Sequence, residues 1–320
     1  TCGGESAPLD SVQDAWEATL EPVMPELSAH GQGSGRVKKL TCTAVSRPAP
    51  AVKSARPRAL IPVFPGTNCE YDTARALLRA GAEPEILVIR NLSPADVAES
   101  VERVAAAIAR SQMIVLPGGF SGGDEPDGSA KLIASFFRSP RLADAVQELL
   151  DARDGLMLGI CNGFQALIKL GLVPFGRIVE TDANCPTLTY NAIGRHQSRL
   201  VRTRVASDLS PWLSRCRVGD IHTVAVSHGE GRFVCPEPLL TQLAQRGQLA
   251  TQYVDLEGEP TMELRYNPNG SVLAVEAVCS PDGRVLGKMG HTERSGAGLY
   301  QNVPGAGLQP VFESGVDYFR

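Results

Sequence analysis

Leu156-Met157-Leu158-Gly159-Ile160-Cys161-Asn162-Gly163-Phe164-Gln165 is the stretch from which this 320-residue chain is best read. Its first five residues suit a buried strand, Gly-x-Cys-x-Gly suits a tight turn, and Ala166 to Leu170 continue as a helix. This is the strand-turn-helix setting of a nucleophile elbow, with sulfur in place of oxygen. The glycines let strand and helix approach around a strained central residue. Cys161 then sits at a helix N-terminus, where the dipole favours the reactive thiolate. Taken alone, the same pattern also fits a buried cysteine beside tight packing of strand and helix.

The flanking sequence decides the fold class. Apolar runs at 59–64, 85–89, 112–116 and 156–160 alternate with helical patterns at 70–80, 94–110 and 140–152. This alternation is the signature of βαβ units around a mostly parallel sheet. After about residue 187 the runs at 198–205, 222–227, 272–278 and 285–289 predict further strands, with little helix until 312–319. Upstream, residues 8–25 carry Leu9, Val12, Ala15, Trp16 and Leu20 at helical spacing after Pro8. Residues 28–57 shift to Gly, Ser, Ala, Pro and basic residues and predict a linker. The main domain therefore runs over 58–320.

In an open α/β sheet, ligands bind outside the carboxyl ends of the strands. Leu116-Pro-Gly-Gly-Phe-Ser-Gly-Gly-Asp124 follows a predicted strand, so it converges there with Cys161. Backbone N–H groups of Gly118, Gly119 and Asn162 are candidates for an oxyanion hole. The loop lacks the G-x-x-x-x-G-K-[ST] pattern of a phosphate loop. A thiol nucleophile needs a base, and the histidines stand at 30, 196, 222, 228 and 291. Two open a His-x-Glu triplet, His228-Gly-Glu230 and His291-Thr-Glu293, in which the carboxylate could orient the imidazole. Both follow predicted strands, and spacing does not choose between them. His196 reads as a turn residue and His222 as structural. Cys69, in Pro65-Gly-Thr-Asn-Cys-Glu70, is a rival nucleophile without the elbow glycines. That stretch reads as a polar crevice loop in which Thr67 or Asn68 caps the next helix.

Composition narrows the remaining classes. With 31 basic and 35 acidic residues, a formal charge of −4 and no dense basic run, nothing suggests nucleic acid or an anionic membrane surface. Cysteines at 2, 42, 69, 161, 185, 216, 235 and 279 form no C-x-x-C pair, which predicts no metal site and scattered thiols in a cytoplasmic protein. No apolar run is long enough to span a bilayer.

In chain order, PGTNCE (65–70), LPGGFSGGD (116–124), GICNGFQ (159–165), VSHGEGRF (226–233) and GHTER (290–294) resemble the class I, triad-type glutamine amidotransferase domains of phosphoribosylformylglycinamidine synthase, over about residues 58–320. The resemblance implies a flavodoxin-like α/β fold, with a mostly parallel central sheet flanked by helices and extra strands in the C-terminal half. It also implies Cys161 as nucleophile, His291 as base and acid, Glu293 as its orienting carboxylate, and Gln165 as a glutamine-binding residue. His228 and Glu230 then belong to a family-specific loop. Residues 1–27 resemble the end of the synthetase portion of the single-chain enzyme, with 28–57 as the linker.

The implied partners are glutamine and that synthetase portion, which would hold ATP and Mg²⁺; no cofactor is expected on this chain. Two segments depart from the commoner family forms, FSGGDEPDGSAK and IGRHQSR, and the triplet reads His-Thr-Glu where many relatives have His-Pro-Glu. The competing readings are a cysteine hydrolase or protease-like enzyme on a similar fold, and a non-catalytic docking module. The first has no need of the PGGFSGGD loop or the late GHTER, and the intact Cys161, His291 and Glu293 argue against the second.

Overall fold

A computed structural model describes residues 6–23, 35–120, 129–296, 298–303 and 308–320. Ser121 to Asp124 of the Gly-rich loop, the rest of that loop to residue 128, and His30 lie outside the described residues. The strands are β1 (Arg58–Val63), β2 (Glu83–Val88), β3 (Met113–Leu116), β4 (Leu156–Ile160), β5 (Thr187–Tyr190), β6 (Gln197–Val205), β7 (Ile221–His228), β8 (Glu230–Val234), β9 (Leu249–Val254), β10 (Val275–Cys279) and β11 (Val285–Lys288). The helices are α1 (Leu9–Glu17), α2 (Glu70–Ala80), α3 (Pro94–Arg110), α4 (Lys131–Phe137), α5 (Pro140–Asp151), α6 (Asn162–Leu170), the single turn α7 (Leu172–Phe175), α8 (Glu237–Gln245) and α9 (Val311–Asp317).

The main sheet runs in the order β2-β1-β3-β4-β11-β10-β9-β6-β7, with β5 and β8 paired apart from it. The first five strands are mutually parallel and reproduce the flavodoxin-like order 2-1-3-4-5, with β11 as the fifth. From β11 onward every pairing is antiparallel. Burial follows from this division. Strands β3, β4 and β11 are buried at every residue, as central parallel strands covered on both faces must be. Toward its end β7 alternates buried and half-buried positions, like an antiparallel strand with one face turned outward. One core cluster runs through the parallel half and its helices, and a smaller one, Val201, Val224, Val226, Tyr253 and Ala274, lies in the antiparallel half.

The parallel half matches the sequence reading closely. Helices α2 and α3 and strand β4 fall on the expected residues, and β1, β2 and β3 shift by one or two positions. Elsewhere the structure corrects it. Helix α8 stands where little helix was expected, because its nine residues bury only Leu240 and Leu243 and leave a faint period. Strands β5, β8 and β9 and helix α4 are also additions. Residues 35–57 do not hang free. Bridges join Arg36 to Thr261 and Cys42 to Ser207, Leu40 is buried, and Ser54 N donates to Phe319 O at 2.7 Å. Helix α1 leaves Leu9, Val12 and Trp16 exposed, and Leu20 just beyond it is exposed as well.

The elbow sets the tightest packing constraint. A Cβ on Gly163 would stand 2.0 Å from Leu116 O, and one on Gly159 would stand 2.6 Å from the Gly163 carbonyl. Helix α6 can therefore start against β3 and β4 only if both positions lack a side chain. Gly163→Ala should destabilise the fold by about 3 kcal/mol or more, an overpacking cost that chemical denaturation will measure.

Candidate active site

Four crevice loops leave the carboxyl ends of parallel strands: Pro65–Cys69 after β1, Pro117–Phe120 after β3, Cys161 after β4, and Met289–Glu293 after β11. Strands β2 and β3 lie on opposite sides of β1, so the first two loops leave at the topological switch point. Cys161 is the N-cap of α6 at φ 51° and ψ −103°, a conformation that non-glycine residues rarely adopt. Its amide donates to Lys288 O at 2.8 Å and its carbonyl accepts from Gln165 N at 3.0 Å, so both neighbouring strand and helix hold the strain in place. The thiol lies 3.8 Å from Ser227 O.

His291 Nδ1 donates to Glu293 Oε1 at 2.6 Å, and both side chains are buried. His291 N donates to Ala225 O at 2.8 Å. Burial acts against a charged imidazole. The Glu293 carboxylate, with the hydrogen bonding and charge of Cys161 and the hydrogen bond to Cys69, outweighs it and holds the His291 pKa well above the ordinary imidazole range. The ring thus bonds to a carboxylate and feels the charge of the elbow thiol.

The other triplet does not form such a unit. His228 Nδ1 donates to Asn191 Oδ1 at 3.1 Å, while Glu230 Oε2 accepts from Ser129 N at 3.0 Å. Burial, reinforced by the charges of His291 and His196, pushes the His228 pKa down to about 3. The structure thereby distinguishes two triplets that spacing left open.

Cys69 is closer to this centre than the sequence suggested. Its Sγ lies 3.8 Å from His291 Nδ1 and donates to Asn68 Oδ1 at 3.0 Å. Burial pushes its thiol up, and the opposing hydrogen bond and charge of His291 do not restore it. Gly118 closes the space between them, since a Cβ there would stand 2.7 Å from His291 Cε1 and 3.0 Å from Cys69 Sγ. Gly118 O accepts from Asn68 N and Cys69 N, and Gly119 bridges to Thr67. The expected helix cap is corrected: Cys69 occupies the N-cap of α2 without a side-chain bond, and Thr67 Oγ1 accepts instead from Phe64 N. His196 also does more than sit in a turn, because its Nε2 lies 3.0 Å from Ser227 Oγ.

Residues 56–319 match the model of the CobB/CobQ-like glutamine amidotransferase domain. The chain belongs to this amidotransferase family. It is 34% identical over 235 residues to the phosphoribosylformylglycinamidine synthase subunit PurQ of Aquifex aeolicus, covering 73% of this chain and 88% of the relative. It is 35% identical over 256 residues to the PurQ subunit of Chlorobium chlorochromatii, covering 79% and 93%. A chain in the solved structure of PurLQS from Thermotoga maritima aligns with a TM-score of 0.59 at 25% identity, over 83% of this chain and all of that one.

Behind His291 lies a buried charge system that the sequence reading missed. Lys288 Nζ donates to Gly290 O at 2.7 Å and Thr292 Oγ1 at 2.8 Å, and it lies 3.4 Å from Glu276 Oε1. Glu276 also accepts from Gly290 N at 2.7 Å and from the Thr251 hydroxyl. Thr292 Oγ1 in turn donates to Gln309 Oε1 at 2.9 Å. Thr292 is thus a hydrogen-bonding member of the turn that carries His291. A signal was present: Lys288 and Glu276 are lone charges inside the apolar runs VLGKM and AVEAV. Among the described residues no helix is long and apolar enough to cross a membrane.

The depressed His228 pKa has a measurable consequence. Between its folded value of about 3 and the ordinary 6.5, the unfolded chain binds a proton that the folded one refuses. Stability therefore falls as the pH drops through that window, by about 2 kcal/mol at pH 5. Urea unfolding at pH 7 and pH 5 should show that increment in the wild type and lose it in His228→Gln.

Proposed function

We propose that this chain hydrolyses glutamine at Cys161 and delivers the ammonia to a phosphoribosylformylglycinamidine synthetase partner. One observation carries the reading: a buried His291 bonded to Glu293, with a thiol held on a strained elbow helping to keep its ring charged. The kinship to PurQ subunits, and the solved relative's presence in PurLQS, support the partner.

Cys161 gives its proton to His291, and its sulfur attacks the glutamine carboxamide carbon. Backbone amides at Gly119 and Asn162, with Gly118 shaping the loop, receive the developing oxyanion. His291 then protonates the departing nitrogen, which leaves as ammonia with a glutamyl thioester on Cys161. Water, deprotonated by the same imidazole, cleaves the thioester to glutamate and restores the thiol. Glu293 keeps the ring oriented and stabilises its charged form throughout. ATP and Mg²⁺ belong to the partner, where ATP activates the formamide oxygen of formylglycinamide ribonucleotide and ammonia replaces it. Ammonia released into neutral water is mostly protonated and unreactive, so an enclosed route serves the transfer. The presence of Cys161, His291 and Glu293 together argues against a purely docking role. A cytoplasmic setting fits the seven free cysteines among the described residues.

Glutamate release should fall by about 10⁴-fold or more in Cys161→Ala, in the range seen when a nucleophile is removed. Cys69→Ala should keep most activity. An electrophilic diazo-ketone analogue of glutamine should label Cys161, as peptide mass spectrometry will reveal; labelling at Cys69 alone would overturn the assignment.

Glu293→Gln supplies a pH test of the same centre. Removing the carboxylate removes an interaction that raises the His291 pKa. The high-pH limb of the kcat profile, where the imidazolium loses its proton, should therefore move to lower pH.

A further inference from the structure

Cys69 stands far in sequence from His291 and Glu293, so no short spacing of metal ligands announces the three. The fold brings them together from the ends of β1 and β11. One sulfur, one ring nitrogen and one carboxylate oxygen all lie within 4.8 Å of one another, and among the described residues no other set of His, Cys, Asp or Glu side chains meets so closely. Cys69 Sγ is 3.8 Å and Glu293 Oε1 is 2.6 Å from His291 Nδ1. Around a tetrahedral zinc ion, with bonds of about 2.3 Å to sulfur and about 2.0 to 2.2 Å to nitrogen and oxygen, these separations are about 3.6 Å and about 3.4 Å. The sulfur is already in place, and the carboxylate need withdraw by less than ~1 Å.

A second observation points to a ligand. Glu293 is 3% exposed, and its Oε2 is enclosed without a hydrogen-bond partner. A carboxylate oxygen withdrawn from water in this way is costly unless something positive meets it. Charge also balances. A thiolate and a carboxylate neutralise a divalent cation, so the buried set carries no net charge when loaded. Arg294, which also approaches Cys69, is held by Asp72 at 3.4 Å. Asn68 Oδ1, 3.0 Å from Sγ, is a neutral oxygen within reach as a fourth donor.

We propose that Cys69, His291 and Glu293 bind a divalent cation of the zinc class, and that the bound cation holds the centre inactive. A thiolate, imidazole and carboxylate set suits zinc rather than magnesium or calcium. On binding, the thiol hydrogen of Cys69 leaves to solvent as a proton. His291 keeps a single hydrogen, on Nε2, while Nδ1 gives its lone pair to the metal. A ring fixed in that form cannot accept the Cys161 proton, and Glu293 is drawn from orienting the ring to holding the cation. Only this inhibitory consequence rests on Cys161 being the glutamine nucleophile; the site itself rests on the geometry of the three ligands. Cys69 thereby gains a part that the triad does not give it.

Cobalt(II), which reports a thiolate ligand by a charge-transfer band, is titrated into the full chain carrying Cys161→Ala, so that the elbow thiol takes no part. The band should form stoichiometrically and be lost in Cys161→Ala/Cys69→Ala, with Cys69→Ser as the second variant where alanine disturbs the fold. In parallel, glutamate release by wild type with its synthetase partner should fall under zinc and return on adding a chelator. Cys69→Ala should keep its activity and need on the order of 100-fold more zinc for the same loss, because a ligand counts for at least as much as outer-shell partners, whose removal costs roughly 10- to 100-fold in affinity. Absence of the band in Cys161→Ala, or equal zinc sensitivity in wild type and Cys69→Ala, would overturn the proposal and assign any inhibition to capture of the elbow thiol. A band that depends on Cys69, in a protein whose wild type hydrolyses no glutamine with its partner present, would remove the parent reading and leave the metal site standing.

Discussion

Three carbonyls near the end of one strand and its corner fix three different functional groups. Ala225 O accepts from His291 N, Ser227 O faces the Cys161 thiol, and Glu230 O accepts from Gln165 Nε2. Residues 225 and 227 lie two apart, so their carbonyls point the same way along the strand. Yet β7 is the last strand of the sheet, four places beyond β11, from whose end His291 hangs. Its end can reach His291 only if the sheet twists strongly enough to bring its edge back over the strand ends of the parallel half. The parallel half supplies Cys161 and His291, the proposed nucleophile and base, and the antiparallel half supplies the wall that holds them in register. Asn191 steadies that wall, donating to His228 O and accepting from the His228 ring.

A second constraint lies beneath the base. Lys288 and Glu276 are fully buried, and an unpaired charge at either position would be severely destabilising. Apart from the Thr251 hydroxyl on Glu276, the pair spends its remaining hydrogen bonds on Gly290 and Thr292, the residues on either side of His291. A hydrophobic pair would fill the same space at similar stability, but it would not specify the backbone of that turn. His-Pro-Glu fixes such a turn through the proline ring's restricted φ. Here the threonine hydroxyl and the buried lysine do it through hydrogen bonds.

These contrasts explain what could be read from the chain and what could not. The parallel half was legible because its strands are continuous apolar runs and its helices keep long amphipathic periods, as in 94–110. Gly159 and Gly163 were legible because one steric demand, close approach of α6 to β3 and β4, admits one residue type. Helix α8 and strand β9 were not. The helix buries two apolar side chains, and Leu249–Val254 interleaves Thr251 and Gln252 whose burial depends on partners far away in sequence. The choice between His228 and His291 was beyond local pattern for the same reason. Each imidazole stands two residues from a glutamate after a strand, and only tertiary packing sends Glu230 to Ser129 and Glu293 to its histidine.

Cys69 shows how the same physics divides two thiols around one imidazole. Both thiols favour the charged form of His291, so that influence does not choose between them. Their surroundings do. Cys69 is the N-cap of α2 with an ordinary negative φ, its hydrogen is given to Asn68 Oδ1, and burial favours its neutral form. Cys161 is held at positive φ between two glycines, and its thiol lies 3.8 Å from a strand carbonyl. With Nδ1 committed to Glu293 at 2.6 Å, Nε2 is the ring nitrogen left to exchange a proton with the attacking sulfur. A thiol 3.8 Å from the committed nitrogen supports one side of the ring, and the elbow thiol is the one positioned to react.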